Sequence, residues 1–355
     1  MRSAALFAVG LSILLCGCGT PDAFWIQQIT SVTPSSSGTP NSVVSSGNYE
    51  FVSVQGTGQI FTYNISGGSQ VAVGKLYATP CNQPSGMVVA TIAGANVMAV
   101  ACYDTGSLLT LTVNSDGSLS ALGSVGGLPM PFPGIVLDGT NVLVPLFGGI
   151  SSGNGGVARV SIATPASPAI EGMVTLASPA SGGVANAEYL AVTGGFVYVT
   201  AGSESNPLGS SSTVQVVNEA TMTLVGTPLV VPHSPQQIAL QGTVAYVTLF
   251  DATQLESIDI SDPANLQPLE TMPLATAGQS CHPVPVVVEG NYAYVGCYAE
   301  GVIEQIDISI PAQMHPAQSI AGMASPQRLA YGGNSMLVTA GTSGGQVYQI
   351  DFREF

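Results

Sequence analysis

Four acidic residues, Asp104, Glu204, Asp251 and Glu300, each follow a short apolar run, in "ACYDTG", "TAGSES", "TLFDAT" and "GCYAEG". A second group recurs around prolines: His233, Gln236 and Gln237 in "PHSPQQ", His282 in "CHPVP", and Gln327 and Arg328 in "SPQRL". Carboxylates and imidazoles converging from separate segments could hold a divalent cation. Oxygen ligands suit Ca²⁺ or Mg²⁺, and a bound cation polarises a carbonyl. The plainer use of the same side chains is to keep exposed loops soluble, with Arg328 neutralising a neighbouring carboxylate. Catalysis would also need a base and an electrophilic stabiliser within reach of one atom, a demand that loop sequences alone do not meet. No motif calls for an organic cofactor.

Other chemical motifs fail on context. Gly149-Ile150-Ser151-Ser152-Gly153 has the spacing of a nucleophile elbow, which requires a strand running into a helix, yet it lies in the Gly/Ser-rich stretch "LFGGISSGNGGVARV". That stretch has no Lys and opens no helix, so it does not cradle phosphate. His315, in "PAQMHPAQ", falls on a connection or outer strand away from the other polar residues.

Those residues are positioned by a repeat. The chain is 46% hydrophobic and 7% charged, with 43 glycines, and its apolar residues come in short runs broken by Gly, Ser, Pro and Asn, the pattern of an all-β protein. A Gly-led strand, here called b, begins at Gly47, Gly94, Gly139, Gly194, Gly242, Gly290 and Gly333. A further strand, c, ends in a short polar residue in "FTYNIS", "LTLTVN", "VQVVNE", "ESIDIS", "EQIDIS" and "YQIDF". Asn64, Asn114, Asn218, Asp259, Asp307 and Asp351 at those ends are expected to cap the following turn. Four strands recurring at this period indicate a seven-bladed β-propeller of four-stranded antiparallel blades. The last repeat lacks its fourth strand, d, and "FWIQQITSV" near the N-terminus supplies a spare one. The N-terminal strand is therefore expected to close the last blade, with Trp25 on its outer edge. Loops d–a and b–c then share one face, and the polar residues above form a funnel there.

"GTVAYVTLFDATQLESIDISDPANLQPL" resembles the LVIVD-type repeat, and "GSLLTLTVNSDGSLSALGSV" is similar to the YVTN and lactonase-like seven-bladed propellers. The resemblance spans residues 24–355. It implies the fold, while its members include enzymes, ligand binders and scaffolds.

The first residues, "MRSAALFAVGLSILLCGCGT", carry one Arg and an apolar run too short to span a bilayer, as in a signal peptide. Leu15-Cys16-Gly17-Cys18 resembles the bacterial lipobox. That likeness implies a signal peptide over 1–17, an acylated Cys18, a tether over 18–23 and a single propeller over 24–355. Gly19 in place of Asp then points to the outer membrane. The alternative is a soluble secreted protein cut nearby. With a net charge of −15 the chain is not expected to bind nucleic acid.

Four cysteines remain in the repeats: Cys81 and Cys281 precede strand a, and Cys102 and Cys297 end strand b of the same blades. Four cysteines allow three connectivities. Because strands a and b are antiparallel neighbours, blade geometry selects 81–102 and 281–297, and an extracytoplasmic location permits their oxidation. A zinc site using His282 is opposed by the lack of a C-x-x-C pair. The combined expectation is a monomeric, lipid-anchored envelope protein without catalysis, touching the membrane only through its anchor and binding a protein, glycan or small molecule on one loop face. The alternative is a lactonase-like hydrolase with a divalent cation at the channel mouth.

Overall fold

The computed structural model describes residues 25–353, except 36, 68–69, 152, 180–182, 203–211, 233, 277–278, 333–334 and 342–344. Seven four-stranded antiparallel sheets form the blades of a β-propeller. In the first blade, strands a to d are Thr39–Ser46, Tyr49–Gln55, Gln59–Asn64 and Val71–Ala78. The sixth repeats the order with Pro283–Glu289, Tyr292–Cys297, Val302–Asp307 and His315–Ala321. Strand b is buried on both faces because neighbouring blades cover it, which is why it reads as a mostly apolar run, with Glu50 and Ser53 buried in that of the first blade. Strand d, outermost, alternates between exposed and half-buried residues.

The recurrent glycine lies in the a–b turn, one or two residues before strand b begins. At Gly47-Asn48, Gly139-Thr140, Gly242-Thr243 and Gly290-Asn291 only the glycine has positive φ, at 57°, 58°, 57° and 54°. That is the type II′ hairpin pattern, whose first central position requires glycine. Nothing lies within 4 Å of a Cβ added at these glycines, so conformation rather than space selects them.

Strand-b side chains plug the seams between blades: Phe51, Leu143, Tyr198, Tyr246 and Tyr294, among the largest fully buried, pack against the following blade, and Met98 packs back against the first. The ring closes as the missing strand d predicts. Trp25–Val32 pairs antiparallel with Gln346–Arg353, from Trp25↔Arg353 to Val32↔Val347, as the outer strand of the seventh blade. Val32 also packs into the apolar cluster of Val43, Val52, Tyr63, Leu337 and Val347 that seals first blade to last.

Both expected disulfides are present, Cys81–Cys102 and Cys281–Cys297, with Cα atoms 5.9 and 4.6 Å apart. The polar ends of strand c cap turns: Asn64, Asn218, Asp259 and Asp307 accept the backbone N–H of Ser66, Thr221, Ser261 and Ser309 at 2.9, 3.0, 2.8 and 2.8 Å. Asn114 differs, since its side chain donates to Ser118 and Ser120 instead. The side chains of Trp25 and Asp351 lie outside the described residues, as do residues 1–24 with the signal sequence and Cys18.

Candidate functional site at the channel mouth

Strand a lines the central channel, and in six blades its register shifts near its start. In the fifth and seventh blades the shift falls at Pro235/Ile238 and Pro326/Arg328, so Gln236, Gln237 and Gln327 are bulge residues and Arg328 follows one. Bulges re-aim side chains and are frequent beside functional sites. Proline opens these strands, where its missing N–H costs no ladder bond. The residues just before, Ser234, His282 and Ser325, have positive φ of 40°, 44° and 51°.

A strand-b hydroxyl pins the bulge. Thr248 Oγ1 accepts Gln237 N–H at 3.0 Å and donates to Val284 O of the next blade at 2.8 Å. Thr200 Oγ1 likewise accepts Tyr189 N–H at 3.1 Å and donates to Gln236 O at 2.6 Å. Both threonines are fully buried.

A cavity of about 140 Å³ lies among these strands, lined in part by Ser42, Met87, Tyr189, Gln237 and Arg328 from five blades. The Arg328 guanidinium stacks across the channel on the Tyr189 ring, 4.8 Å from its centroid, a cation–π contact. Nη1 donates to Gln327 O at 2.6 Å. Nε is shut off from solvent and has no acceptor among the described residues, an omission worth roughly 1–3 kcal/mol. Burial pushes the Tyr189 hydroxyl up to about 12 despite the opposing charge of Arg328. Gln237 Oε1 accepts Val286 N–H at 3.3 Å. Gly134 lets the third blade close on Tyr189, since a Cβ there would lie 2.5 Å from Tyr189 Cα.

The acidic residues are placed differently. Asp104 accepts the backbone N–H groups of Asn82 and Gln83 at 3.0 and 3.3 Å, tying down the d–a loop of its own blade. Asp251 accepts the Ser234 hydroxyl in the same way. Glu300 lies against the Cys281–Cys297 disulfide, its buried carboxylate oxygens without a hydrogen-bond partner among the described residues. Among the described residues those three are the only cluster of potential metal-ligating types, and its two sulfurs are bonded to each other. Glu204 and His233 lie outside the described residues. His282 sits on the rim with its ring 5.1 Å from Phe250 and its carbonyl accepting Tyr298 N–H at 3.2 Å. Gln327 Nε2 donates to Gly341 O at 3.0 Å. The structure thus brings Gln237 and Arg328 together, and leaves Asp104, Asp251 and Glu300 each against its own blade.

Two features of this face lie outside the pattern of acidic, amide and imidazole residues. Tyr189, on an inner strand, carries no local signature. Half-buried aromatic residues flank the mouth: Phe132 stacks on Phe147 at 4.8 Å beside Tyr103, and Phe250 lies between His282 and Tyr298. A signal for these exists, because Tyr103, Phe147, Phe250 and Tyr298 all follow the apolar core of strand b.

Known proteins place the fold. The LVIVD repeat matches residues 234–271 and 282–320, the fifth and sixth blades. No curated protein sequence matches the chain. Hydrazine synthase of Kuenenia stuttgartiensis is similar in structure at 13% identity, over 88% of this chain and 95% of that one, with a TM-score of 0.69. Virginiamycin B lyase of Staphylococcus aureus is similar at 9% identity, over 91% and 99%, with a TM-score of 0.64. The periplasmic gluconolactonase of Pseudomonas aeruginosa is similar at 17% identity, over 88% and 89%, with a TM-score of 0.61. At such identities the likeness is one of fold.

Proposed function

We propose that this LVIVD-repeat propeller is a monomeric binding module of the bacterial cell envelope, tethered through acylated Cys18 to the outer membrane and holding a small molecule at its channel mouth. The observation that carries this reading is the convergence of Gln237, Tyr189 and Arg328 from three blades on one cavity. Among its described lining residues are no carboxylate, imidazole or thiol. A binding role needs none. The half-buried aromatic rims add flat apolar surface on which a ligand ring or chain could rest.

The competing reading draws on the fold shared with a gluconolactonase: a hydrolase that opens a lactone with Ca²⁺ or Mg²⁺ at the mouth. Its carboxylate ligands would have to leave the loop contacts that Asp104 and Asp251 now make. Lactone hydrolysis with and without added Ca²⁺ or Mg²⁺, beside ligand-observed NMR against a panel of small acids, amides and saccharides, separates the two. We expect saturation transfer from at least one panel member and no turnover. Cation-dependent turnover abolished in the Asp104→Asn/Asp251→Asn double variant would replace the binding reading with the hydrolase.

A further inference from the structure

We propose that the channel ligand is a small monocarboxylate anchored by Arg328; this rests on the binding reading and names the ligand class of the same cavity. The chain has only five Lys and Arg against 20 Asp and Glu. Two of the cations are matched to carboxylates: Lys75 pairs with Asp116, and Arg159 Nε lies 3.2 Å from Glu171 Oε2. Arg328 has no ion pair among the described residues, although acidic side chains outnumber cations throughout the molecule. Its contacts are the Tyr189 face, which fixes the plane of the guanidinium, and a single carbonyl acceptor on Nη1. With Nε closed off and Nη1 already donating once, the Nη1/Nη2 edge of a guanidinium whose plane the Tyr189 ring fixes is the fork left to match two oxygens of a carboxylate.

Charge and size narrow the class. One guanidinium balances one negative charge, so a dianion such as phosphate would bring an uncompensated charge into the channel, which is costly. Val43, Met87, Ile135 and Leu329 also line the space, beside a larger share of polar atoms. An apolar cavity of roughly 150 Å³ accepts a molecule the size of benzene. The space of about 140 Å³ therefore suits an acid of some four to seven heavy atoms. The Gln237 amide is on hand for a second polar contact.

Isothermal titration of the folded, purified protein with butyrate, its neutral analogue butyramide and inorganic phosphate tests the assignment. Butyrate is expected to bind at least about tenfold more tightly than either of the others. Arg328→Gln should erase the preference over butyramide, and Arg328→Lys, which keeps the charge and loses the fork, should retain only part of it. The wild-type comparison needs no variant, so it decides the matter even if Arg328→Gln fails to fold. Equal binding of butyrate and butyramide, tighter binding of phosphate, or no binding of butyrate at millimolar concentration would overturn the monocarboxylate assignment. The binding reading itself would still stand if a neutral member of the panel gave saturation transfer at the mouth.

Discussion

Two carboxyl groups in the blades lie where water cannot solvate their charge. Glu256 shares a face of strand c with Ile258, opposite Val247, against the fourth blade. Burial pushes it up from 4.5 to about 7, and its Oε2 has no hydrogen-bond partner among the described residues. Glu50 is likewise raised by burial to about 7, although Gln70 Nε2 donates to both of its oxygens. An acid with a folded value above its unfolded one holds its proton more tightly in the fold. Its stabilisation is complete below about 4.5 and is lost as pH rises to about 7. Asp259 works in the opposite sense, held down chiefly by Ser261. Asp307 is also lowered: burial opposes the shift, but the Ser309 hydrogen bonds and His315 outweigh it. Both stabilise above the ordinary 3.8 and lose that effect only below it, outside the glutamate window. Urea unfolding should therefore show stability falling between about pH 5 and pH 8. Glu256→Gln should flatten the decline and raise stability at pH 8 by as much as about 3 kcal/mol, at roughly 1.4 kcal/mol per tenfold change. A variant curve parallel to the wild type would contradict this account.

Strand b does more than fill seams, because in the fourth and fifth blades its hydroxyls hold the bulge of the inner strand. Thr248 supplies an acceptor to Gln237 N–H and a donor to Val284 O, joining its own inner strand to the next. Thr339 is its counterpart in the seventh blade, opposite Arg328, and its hydroxyl has no partner among the described residues. This difference makes a matched test. Thr248→Val keeps the shape and strands two buried backbone groups, so it should cost roughly 2 kcal/mol in thermal or denaturant unfolding. It should also weaken ligand binding by displacing Gln237. Thr339→Val should be close to neutral. Equal effects of the two substitutions would mean that side-chain volume, not the hydroxyl latch, governs these positions.

Closure holds the whole ring together. Blades bury their faces only against one another, and the last is completed by Trp25–Val32. Removing residues 1–32 would leave Gln346–Arg353 as an unpaired edge, open to association with other chains. Such a truncation is expected to lower the melting temperature and raise light scattering. A circular permutant carrying residues 25–32 after Phe355 should recover both, because the pairing is the same and only the connection differs. Trp25, the only tryptophan, lies in the closing strand and makes fluorescence a reporter of the seam. An undiminished melting temperature in the truncated protein would show that the seam contributes little.

Blade number, the strand that closes the ring and both disulfide pairs were legible in the residues. Each follows from a period and from the rule that adjacent antiparallel strands bring the start of one beside the end of the other. The aromatic rims carry a signal of the same kind, an aromatic residue after strand b. The pairing of Arg328 with Tyr189 could come only from the folded ring, which sets an inner strand of the seventh blade across the channel from one of the fourth. Likewise, only coordinates show that Asp104 and Asp251 spend their oxygens on their own loops. Local periodicity records what each blade repeats. The channel is made of the positions where the blades differ, and closure alone decides which of those differences meet.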